Sequence, residues 1–397
     1  MAGAGSVRAR TTESVDNVVS DPVKSKILIT CPKAIPHLLA REVKALGLPV
    51  IRQLTAGVET EGTLVDCMRL NLWLRTGHRV LFLLRPFRAD GPNDLYAELS
   101  KIPWEDFIAA DGYVSVSSSV ENPTIRDTRF ANLKCKDAIV DRISARRGRR
   151  PDSGSATDRT AVFLYWKNSE CAVYFDTSGD SLSRRGYRKI PLQAPMQETL
   201  AASVILATGW NGEGNFVNPM CGSGTLAIEA ALIALNRAPG LLRENFAFMH
   251  LLGFDAVAWK TLRTEARAVA RPSSPGKIIA TDIAAGAVRA SRQNAQLAGV
   301  ESVIEFRECD FTASQIPEGG GVVVLNPEYG ERMGDVRALG PVYWRIGEFF
   351  KKRCKGYTGY VFTGNPDLVT KIALKPNRKI PFFNSNIECR LLEYELY

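Results

Sequence analysis

Histidine is scarce: the 397 residues hold only three, His37, His78 and His250. None has a second metal-type ligand at helical or strand spacing, which argues against zinc hydrolysis and against triads built on an imidazole base. The eight cysteines, at 31, 67, 135, 171, 221, 309, 354 and 389, stand singly with no CxxC pair. Zinc ribbons and thioredoxin-type redox sites are thereby disfavoured, and unpaired thiols in a chain this long fit a reducing compartment. No apolar run approaches the roughly 18 residues of a membrane-spanning helix. The first residues carry no apolar core of a secretory leader. They read as a disordered extension over 1–25, and the expected location is cytoplasmic. Neither an internal repeat nor a phosphate-binding GxxxxGK[ST] run is present.

What is present is an ordinary globular composition, 45% hydrophobic and 23% charged. At roughly 100–200 residues per domain, the length predicts two or three domains. The net charge of +9 is unevenly spread. Residues 126–150 hold Arg126, Arg129, Lys134, Lys136, Arg142, Arg146, Arg147, Arg149 and Arg150 against only Asp127, Asp137 and Asp141. A second run holds Arg184, Arg185, Arg188 and Lys189. Clustered positive charge predicts a polyanionic partner whose binding weakens steeply with salt. The plainer alternative is a solvated helix face and a flexible loop.

Periodicity divides the chain in two. Strands are expected at 26–30, 58–63 and 80–84 around helices at 35–46 and 64–75. Helical segments follow at 95–101 and after Pro103, then a strand at 113–120. A basic amphipathic helix at 130–146 has Leu133, Ala138, Ile139 and Ile143 as its apolar stripe. A loop at 147–157 and a hairpin at 161–166 and 172–176 complete an α+β region. From about residue 192, strands alternate with helices, the pattern of a parallel, doubly wound sheet. Four of its strands end at Asn218, Asp282, Asp310 and Asn326. Two more, at 379–383 and 388–396, would close it as an antiparallel pair.

In such sheets ligands bind at the carboxyl ends of the strands. Gly222 and Gly224 precede a helix, where glycine permits a tight turn and close backbone approach. A dinucleotide site needs a third glycine and an acid about 20 residues further on, and the loop lacks both. Asp282 can accept from two ribose hydroxyls. Asp310 can accept from an adenine amino group, with Phe311 beside it for apolar contact. Together they describe a pocket for an adenosine without phosphates. Asn326-Pro327-Glu328-Tyr329 ends the fourth strand. A nucleobase amine is a poor nucleophile because its lone pair is delocalised into the ring. The Asn326 side-chain carbonyl and the Pro327 main-chain carbonyl can take its two N–H bonds, which holds the amine and returns electron density to nitrogen. Tyr329 can stack on the base, a contact worth roughly 1–3 kcal/mol. Asn-Pro is also a common turn dipeptide. Cys221 has no base partner in sight and reads as packing.

These motifs carry a resemblance. Asn218-Pro219-Met220-Cys221-Gly222-Ser223-Gly224-Thr225 resembles the D-P-x-C-G-S-G-T loop of class I S-adenosylmethionine-dependent methyltransferases. The segment from Asn326 to Arg332 resembles the NPPYGER motif of those that methylate exocyclic amines. Asp176 to Leu182, Arg185-Gly186-Tyr187-Arg188 and Ala194-Pro195 are similar to the linker of THUMP-domain RNA methyltransferases, and 129–141 is similar to the THUMP helix. The inserted Ala238-Pro239-Gly240 and the ending Ile387 to Leu392 match as well. From residue 26 onward, the chain resembles the RlmL-like family of guanine-N2 methyltransferases acting on 23S ribosomal RNA. Some members add a second methyltransferase unit for 7-methylguanosine, and none is read within this sequence.

The resemblance implies a Rossmann-like class I methyltransferase domain over 178–397. Before it come a ferredoxin-like domain (26–85) and a THUMP RNA-binding domain (86–177). It implies S-adenosyl-L-methionine as cofactor, held by Pro195, Asn218, Met220, Cys221, Gly222, Ser223, Gly224, Asp282, Ile283, Asp310, Phe311 and Asn326. Asn326, Pro327 and Tyr329 would be the catalytic residues. Arg126, Arg129, Lys134, Lys136, Arg142, Arg146, Arg147, Arg149, Arg150, Arg184, Arg185 and Arg188 would grip RNA. Neither a metal nor a membrane is implied. Two residues depart from the pattern: Asn218 replaces the usual acid, and Glu328 the second proline. The rivals are a tRNA guanosine-N2 enzyme, a DNA adenine-N6 enzyme and a catalytically silent ribosome-assembly factor.

Overall fold

The computed structural model describes residues 23–397 apart from 123, 124, 126, 191–195, 331 and 332. Residues 1–22 of the expected extension lie outside the described residues. So do Arg126, Pro195, and Glu331 and Arg332 at the end of the fourth-strand motif. No described helix is long and apolar enough to cross a membrane.

The first half consists of β1 (Ser25–Thr30), α1 (Pro36–Ala45), β2 (Arg52–Leu54), β3 (Gly57–Gly62), α2 (Leu64–Trp73), β4 (Arg79–Arg88), α3 (Pro92–Leu99), β5 (Tyr113–Glu121), α4 (Thr128–Arg147), β6 (Asp152–Gly154), β7 (Thr160–Lys167) and β8 (Glu170–Asp176). These strands form one sheet in the order β2-β3-β1-β4-β8-β7-β5-β6. Long β4 joins its two sides, pairing with β1 through residues 79–82 and with β8 through 81–88, both antiparallel. Local chemistry sets the helix ends. Thr63 and Asp66 close a reciprocal capping box at the start of α2. Asp127 caps α4, and Gly148 ends it in a left-handed turn at φ 69°.

Helix α4 buries Ala131, Cys135, Ala138, Ile139, Val140 and Ile143. The expected stripe is therefore corrected at one position: Leu133 is 53% exposed. The spacing i, i+4, i+7, i+8 and i+12 from Ala131 defines the packed face. The helix packs against β5 and α3.

The second half holds α5 (Glu198–Ala207), β9 (Asn215–Pro219), α6 (Thr225–Ala234), α7 (Ala256–Ala268), β10 (Ile278–Asp282), α8 (Ala285–Leu297), β11 (Ile304–Glu308), β12 (Gly321–Leu325), α9 (Met333–Arg353), β13 (Tyr357–Thr363), α10 (Pro366–Val369), β14 (Arg378–Asn384) and β15 (Ile387–Glu395). The sheet order is β11-β10-β9-β12-β13-β15-β14. Strands β9 to β13 are parallel, and β15 is antiparallel to both its neighbours. Val322 to Leu325 are all buried, as expected of a parallel strand covered on both faces. From β9 the chain moves outward to β10 and β11, then returns to the other side of β9 for β12. The crevice between β9 and β12 is therefore the topological switch point, where open α/β sheets bind ligands.

A buried polar knot ties the halves together. Arg185 is 2% exposed and donates to the carbonyls of Leu182 (2.9 Å), Arg75 (2.6 Å) and Leu74 (3.3 Å). Its Nε faces Glu229 Oε1 at 3.4 Å, to which Tyr187 also donates at 3.1 Å. Arg75 in turn reaches the Arg237 carbonyl at 2.9 Å. The expectation that Arg185 grips RNA is overturned, because its guanidinium is spent inside the protein. Arg188 is corrected likewise: it is mostly buried, donating to the Met196 carbonyl (2.7 Å) and to Glu198 (3.0 Å).

Candidate active site at the switch point

After β9 the chain turns through Met220 (φ 60°), Gly222 (φ 55°) and Gly224 (φ 84°) into α6. At Gly224 a Cβ would run into Ser291 Oγ, so both dihedral and space call for glycine. The Gly222 N–H donates to Asp282 Oδ2 at 2.9 Å, and Asp282 Oδ1 accepts from the Ala284 N–H at 3.0 Å. The acid that ends β10 thus fastens the loop that follows β9, and its oxygens keep spare lone pairs. Beside it, Ile283 is 71% exposed, an apolar side chain with little protein against it. Ser223 is anchored through its carbonyl, which accepts from Asn294 Nδ2 at 3.1 Å. Asn294 also exchanges bonds with the main chain of Ile190, at 3.2 and 3.3 Å. Nothing in the sequence singled out Asn294, because its partners are carbonyls far from it along the chain.

Cys221 packs under the loop with Sγ 3.5 Å from Ser291 Oγ. Burial pushes its thiol up to about 12 despite that contact, so it stays protonated at neutral pH and is no nucleophile. Asn218 is fully buried, and its Nδ2 donates to the Val324 carbonyl of β12 at 2.9 Å. Its Oδ1 is buried with no hydrogen-bond partner among the described residues.

At the end of β11, Asp310 Oδ1 accepts from Thr312 N–H (3.0 Å), Thr312 Oγ1 (2.6 Å) and Arg345 (2.7 Å). Burial would raise this carboxyl, but Arg345 and Thr312 outweigh it and hold it below the usual carboxylate value. Oδ2 takes no hydrogen bond among the described residues. Phe311 departs from expectation. It is 5% exposed, edge-on to Phe349 at 5.8 Å, with the Arg345 guanidinium 5.0 Å from its ring centre. Phe311 is therefore a core residue, and the exposed apolar side chain at this rim is Ile283.

Beyond β12, Asn326 Oδ1 is buried and has no partner among the described residues. Buried polar atoms are normally paired, so such an oxygen calls for an explanation. Pro327 is buried and Glu328 exposed. The Glu328 carbonyl accepts from Tyr343 Oη at 3.2 Å, and Tyr343 Oη also lies 2.9 Å from Thr363 Oγ1. Tyr329 is held at both ends: its Oη accepts from Asn384 Nδ2 at 3.0 Å and its carbonyl from Asn365 Nδ2 at 3.1 Å. Its ring lies on Gly364, where a Cβ would come within 3.1 Å of it. Tyr343, Asn365 and Asn384 escaped the sequence reading. Of these, only Asn365-Pro366 carried a signal, as a second Asn-Pro turn at a strand end.

The basic residues divide by exposure. Arg142 is only 20% exposed; Glu105 takes it in a two-pronged pair (2.8 and 3.0 Å), and it also donates to the Ser100 carbonyl. It is a brace between α4 and the turn at Glu105, which corrects its placement in the RNA grip. Arg146 and Arg147 pair only loosely, at 3.9 Å with Glu105 and 4.0 Å with Asp106. Arg150 pairs with Asp141, and Arg149 is exposed. Arg129 and Arg184 each pair with a nearby Asp yet remain largely exposed. Lys134 sits 5.9 Å from the centre of the half-exposed Phe130 ring, and Lys136 pairs with Asp137 at 3.1 Å. Among the described residues there is no cluster of three or more His, Cys, Asp or Glu fit to hold a metal.

The strand order, the glycine loop on one side of the switch point and the Asn-Pro turn on the other define a class I methyltransferase. The chain belongs to the RMKL-like methyltransferase family, whose domain matches residues 185–393. The RlmL ferredoxin-like domain matches 26–81 and the THUMP domain 91–176. The "Ribosomal RNA large subunit methyltransferase K/L" of Syntrophotalea carbinolica is 38% identical over 94% of this chain and 53% of its own length. The chain thus spans about half the length of the K/L relatives it matches. A Synechocystis sp. protein, provisionally named RNA methyltransferase slr0064, is 33% identical over 93% of this chain and 96% of its own length. Among solved structures, SMU.472, provisionally described as a methyltransferase and complexed with SAH, superposes with a TM-score of 0.85. It is 27% identical and covers 94% of this chain and 98% of its own. The methyl donor of the family is S-adenosylmethionine.

Proposed function

We propose that this protein transfers a methyl group from S-adenosylmethionine to the exocyclic N2 amine of a guanosine in large-subunit ribosomal RNA, in the cytoplasm. The observation that carries the reading is the buried, unpaired Asn326 Oδ1 at the switch point. It supplies the acceptor that an exocyclic N–H needs, at the strand end next to the glycine loop.

The residues present fit the cofactor. Gly222 and Gly224 add no side chain to the loop. Asp282 and Asp310 offer carboxylate lone pairs to ribose hydroxyls and to an adenine amine, and Ile283 offers an apolar face. The free Asn218 Oδ1 is the acceptor for the ammonium group. When bound, the cofactor supplies the electrophilic methyl. The chain contributes alignment: Asn326 and the Pro327 carbonyl fix the amine, Tyr329 stacks on the base, and in this reading the exposed Glu328 carboxylate accepts from guanine N1–H. Positioning of this kind, with no covalent step on the protein, is what a single displacement requires. The target base leaves its stack to reach the site, gripped by the THUMP unit over 86–177, with 26–85 and 178–397 as the other two units.

Unmodified 23S rRNA incubated with the protein and S-adenosylmethionine should yield N2-methylguanosine by mass spectrometry of nucleosides. Product confined to tRNA would replace the ribosomal reading with the tRNA one. Failure to bind S-adenosylmethionine at millimolar concentration by calorimetry would favour the silent factor.

The exposed arginines carry a second expectation. Replacing Arg146, Arg147, Arg149 and Arg150 together by Ala should lower RNA affinity and flatten log K against log salt. The slope should change by about 3, since each lost phosphate contact removes roughly 0.7–0.9. An unchanged slope would remove these residues from the grip.

A further inference from the structure

Between the first half and the β14–β15 hairpin lies a cleft of about 290 Å³. Pro32, Lys33 and His78 line it from the first half, Gln197 and Leu200 from α5, and residues 383–386 from the hairpin. Its chemistry is mixed in a particular way. Phe383 offers an aromatic face, with Lys33 Nζ 6.0 Å from the ring centre. Gln197, Asn384 and Asn386 offer amides that both donate and accept. His78 is a neutral ring: burial, then Arg185 and Arg79, lower it to about 4, and its Nε2 lies 3.0 Å from Thr199 Oγ1. The full charge on the lining is therefore the Lys33 ammonium.

Three observations tie this cleft to function. Asn384, which lines it, donates to Tyr329 Oη at 3.0 Å, so the cleft is one hydrogen bond from the ring read above as stacking on the target base. Both rims hold backbone that a side chain rarely adopts. Ser385 has φ 56° in the two-residue turn between paired Asn384 and Ile387, and Ala34, next to Lys33, has φ 70°. Such conformations cost of order 1–3 kcal/mol each and gather at ligand sites. Finally, the cleft is built from both halves of the chain, so whatever occupies it senses their placement relative to each other.

We infer that this cleft holds the RNA nucleotide adjoining the methylated guanosine, its base stacked on Phe383 and its phosphate on Lys33. The inference rests on the reading of Asn326 to Tyr329 as the target-base site. A flipped guanosine leaves its neighbour unstacked, and an aromatic face edged with amides and one cation meets what that neighbour exposes: a flat base with hydrogen-bonding edges, and a phosphate. The first 60 or so described residues then take part in choosing the site of methylation and do more than support the fold.

The test uses the full chain, S-adenosylmethionine and unmodified 23S rRNA transcribed in vitro, with Lys33→Glu, Phe383→Leu and Asn326→Ala compared. Phe383→Leu should raise KM for RNA by about 5- to 150-fold, the range carried by one base–aromatic stack, with kcat within about twofold. Lys33→Glu should raise KM and reduce the salt slope by about 1. Affinity for S-adenosylhomocysteine should stay unchanged in both. Lys33 is exposed, so its variant decides the matter even if Phe383→Leu fails to fold. Unchanged KM and salt slope in Lys33→Glu, with Asn326→Ala inactive, would overturn the cleft while leaving the target site standing. Full turnover by Asn326→Ala would overturn the parent reading and this one with it.

Discussion

Asn326→Ala should lower kcat by about 100- to 1000-fold, while affinity for RNA and for S-adenosylmethionine changes no more than a few-fold. The magnitude follows from what the residue is asked to do. An amine held about 1 Å off line loses roughly two orders of magnitude, and one well-placed polar contact at a reacting group is worth about as much or more. On the proposed reading, RNA affinity comes from many phosphate contacts spread over the first half, so it is spared. The fold is spared too: Asn326 Oδ1 has no described internal partner to forfeit, so its removal relieves an unsatisfied oxygen. Asn326→Asp keeps an acceptor at the same place and should retain more turnover than the alanine variant. Single-turnover rates with methyl-labelled cofactor, alongside filter binding of RNA, separate these effects. A full rate in Asn326→Ala would move the acceptor role elsewhere, and equal loss of RNA binding would show that the residue is structural.

How much of this was legible beforehand varied with the kind of information needed. The second sheet was readable because strands buried on both faces are continuous apolar runs, and 321–325 is one such run, ended by Asn326. Those strand ends were therefore found in the right order. The joining of the first half into one eight-stranded sheet was not readable. The β4–β8 pairing brings residues 81–88 against 170–176, and nothing local records a partner so distant. Short β2 and β6 went unread because three residues carry no period. On α4 the expected stripe included Leu133, whereas the buried face runs through Ala131 and Cys135, small residues that stand out little in a search for large apolar side chains. Phe311 was assigned to the pocket from proximity to Asp310, yet it opens the short helical turn that Asp310 caps and packs edge-on against Phe349. The sharpest misreadings concern charge. A linear count adds Arg142, Arg185 and Arg188 to the positive excess, while in the fold each guanidinium is already matched by carboxylates and carbonyls.

Arg185 turns that last point into an experiment. Arg185→Ala should destabilise the protein by about 3–5 kcal/mol, the usual cost of removing one partner of a buried ion pair. Three carbonyls, of Leu74, Arg75 and Leu182, lose their donor, and Glu229, fully buried, is left with Tyr187 alone on its Oε1. Stranded buried acceptors carry their full desolvation penalty, which is why the loss exceeds the worth of the bonds themselves. Because the knot joins α2, the linker and α6, thermal melting should broaden or split as the two halves uncouple, since chains of several units need not melt as one. Removing the opposite charge as well, in Arg185→Met with Glu229→Gln, should recover part of the stability, because no unpaired charge then remains inside. The salt dependence of RNA binding decides between the two readings of this residue. A phosphate-gripping arginine lowers the slope by roughly 0.7–0.9 when removed. Arg185, shut inside, should leave the slope of the surviving folded protein unchanged while its melting temperature falls. The reverse pattern, a flatter slope at full stability, would return Arg185 to the RNA surface.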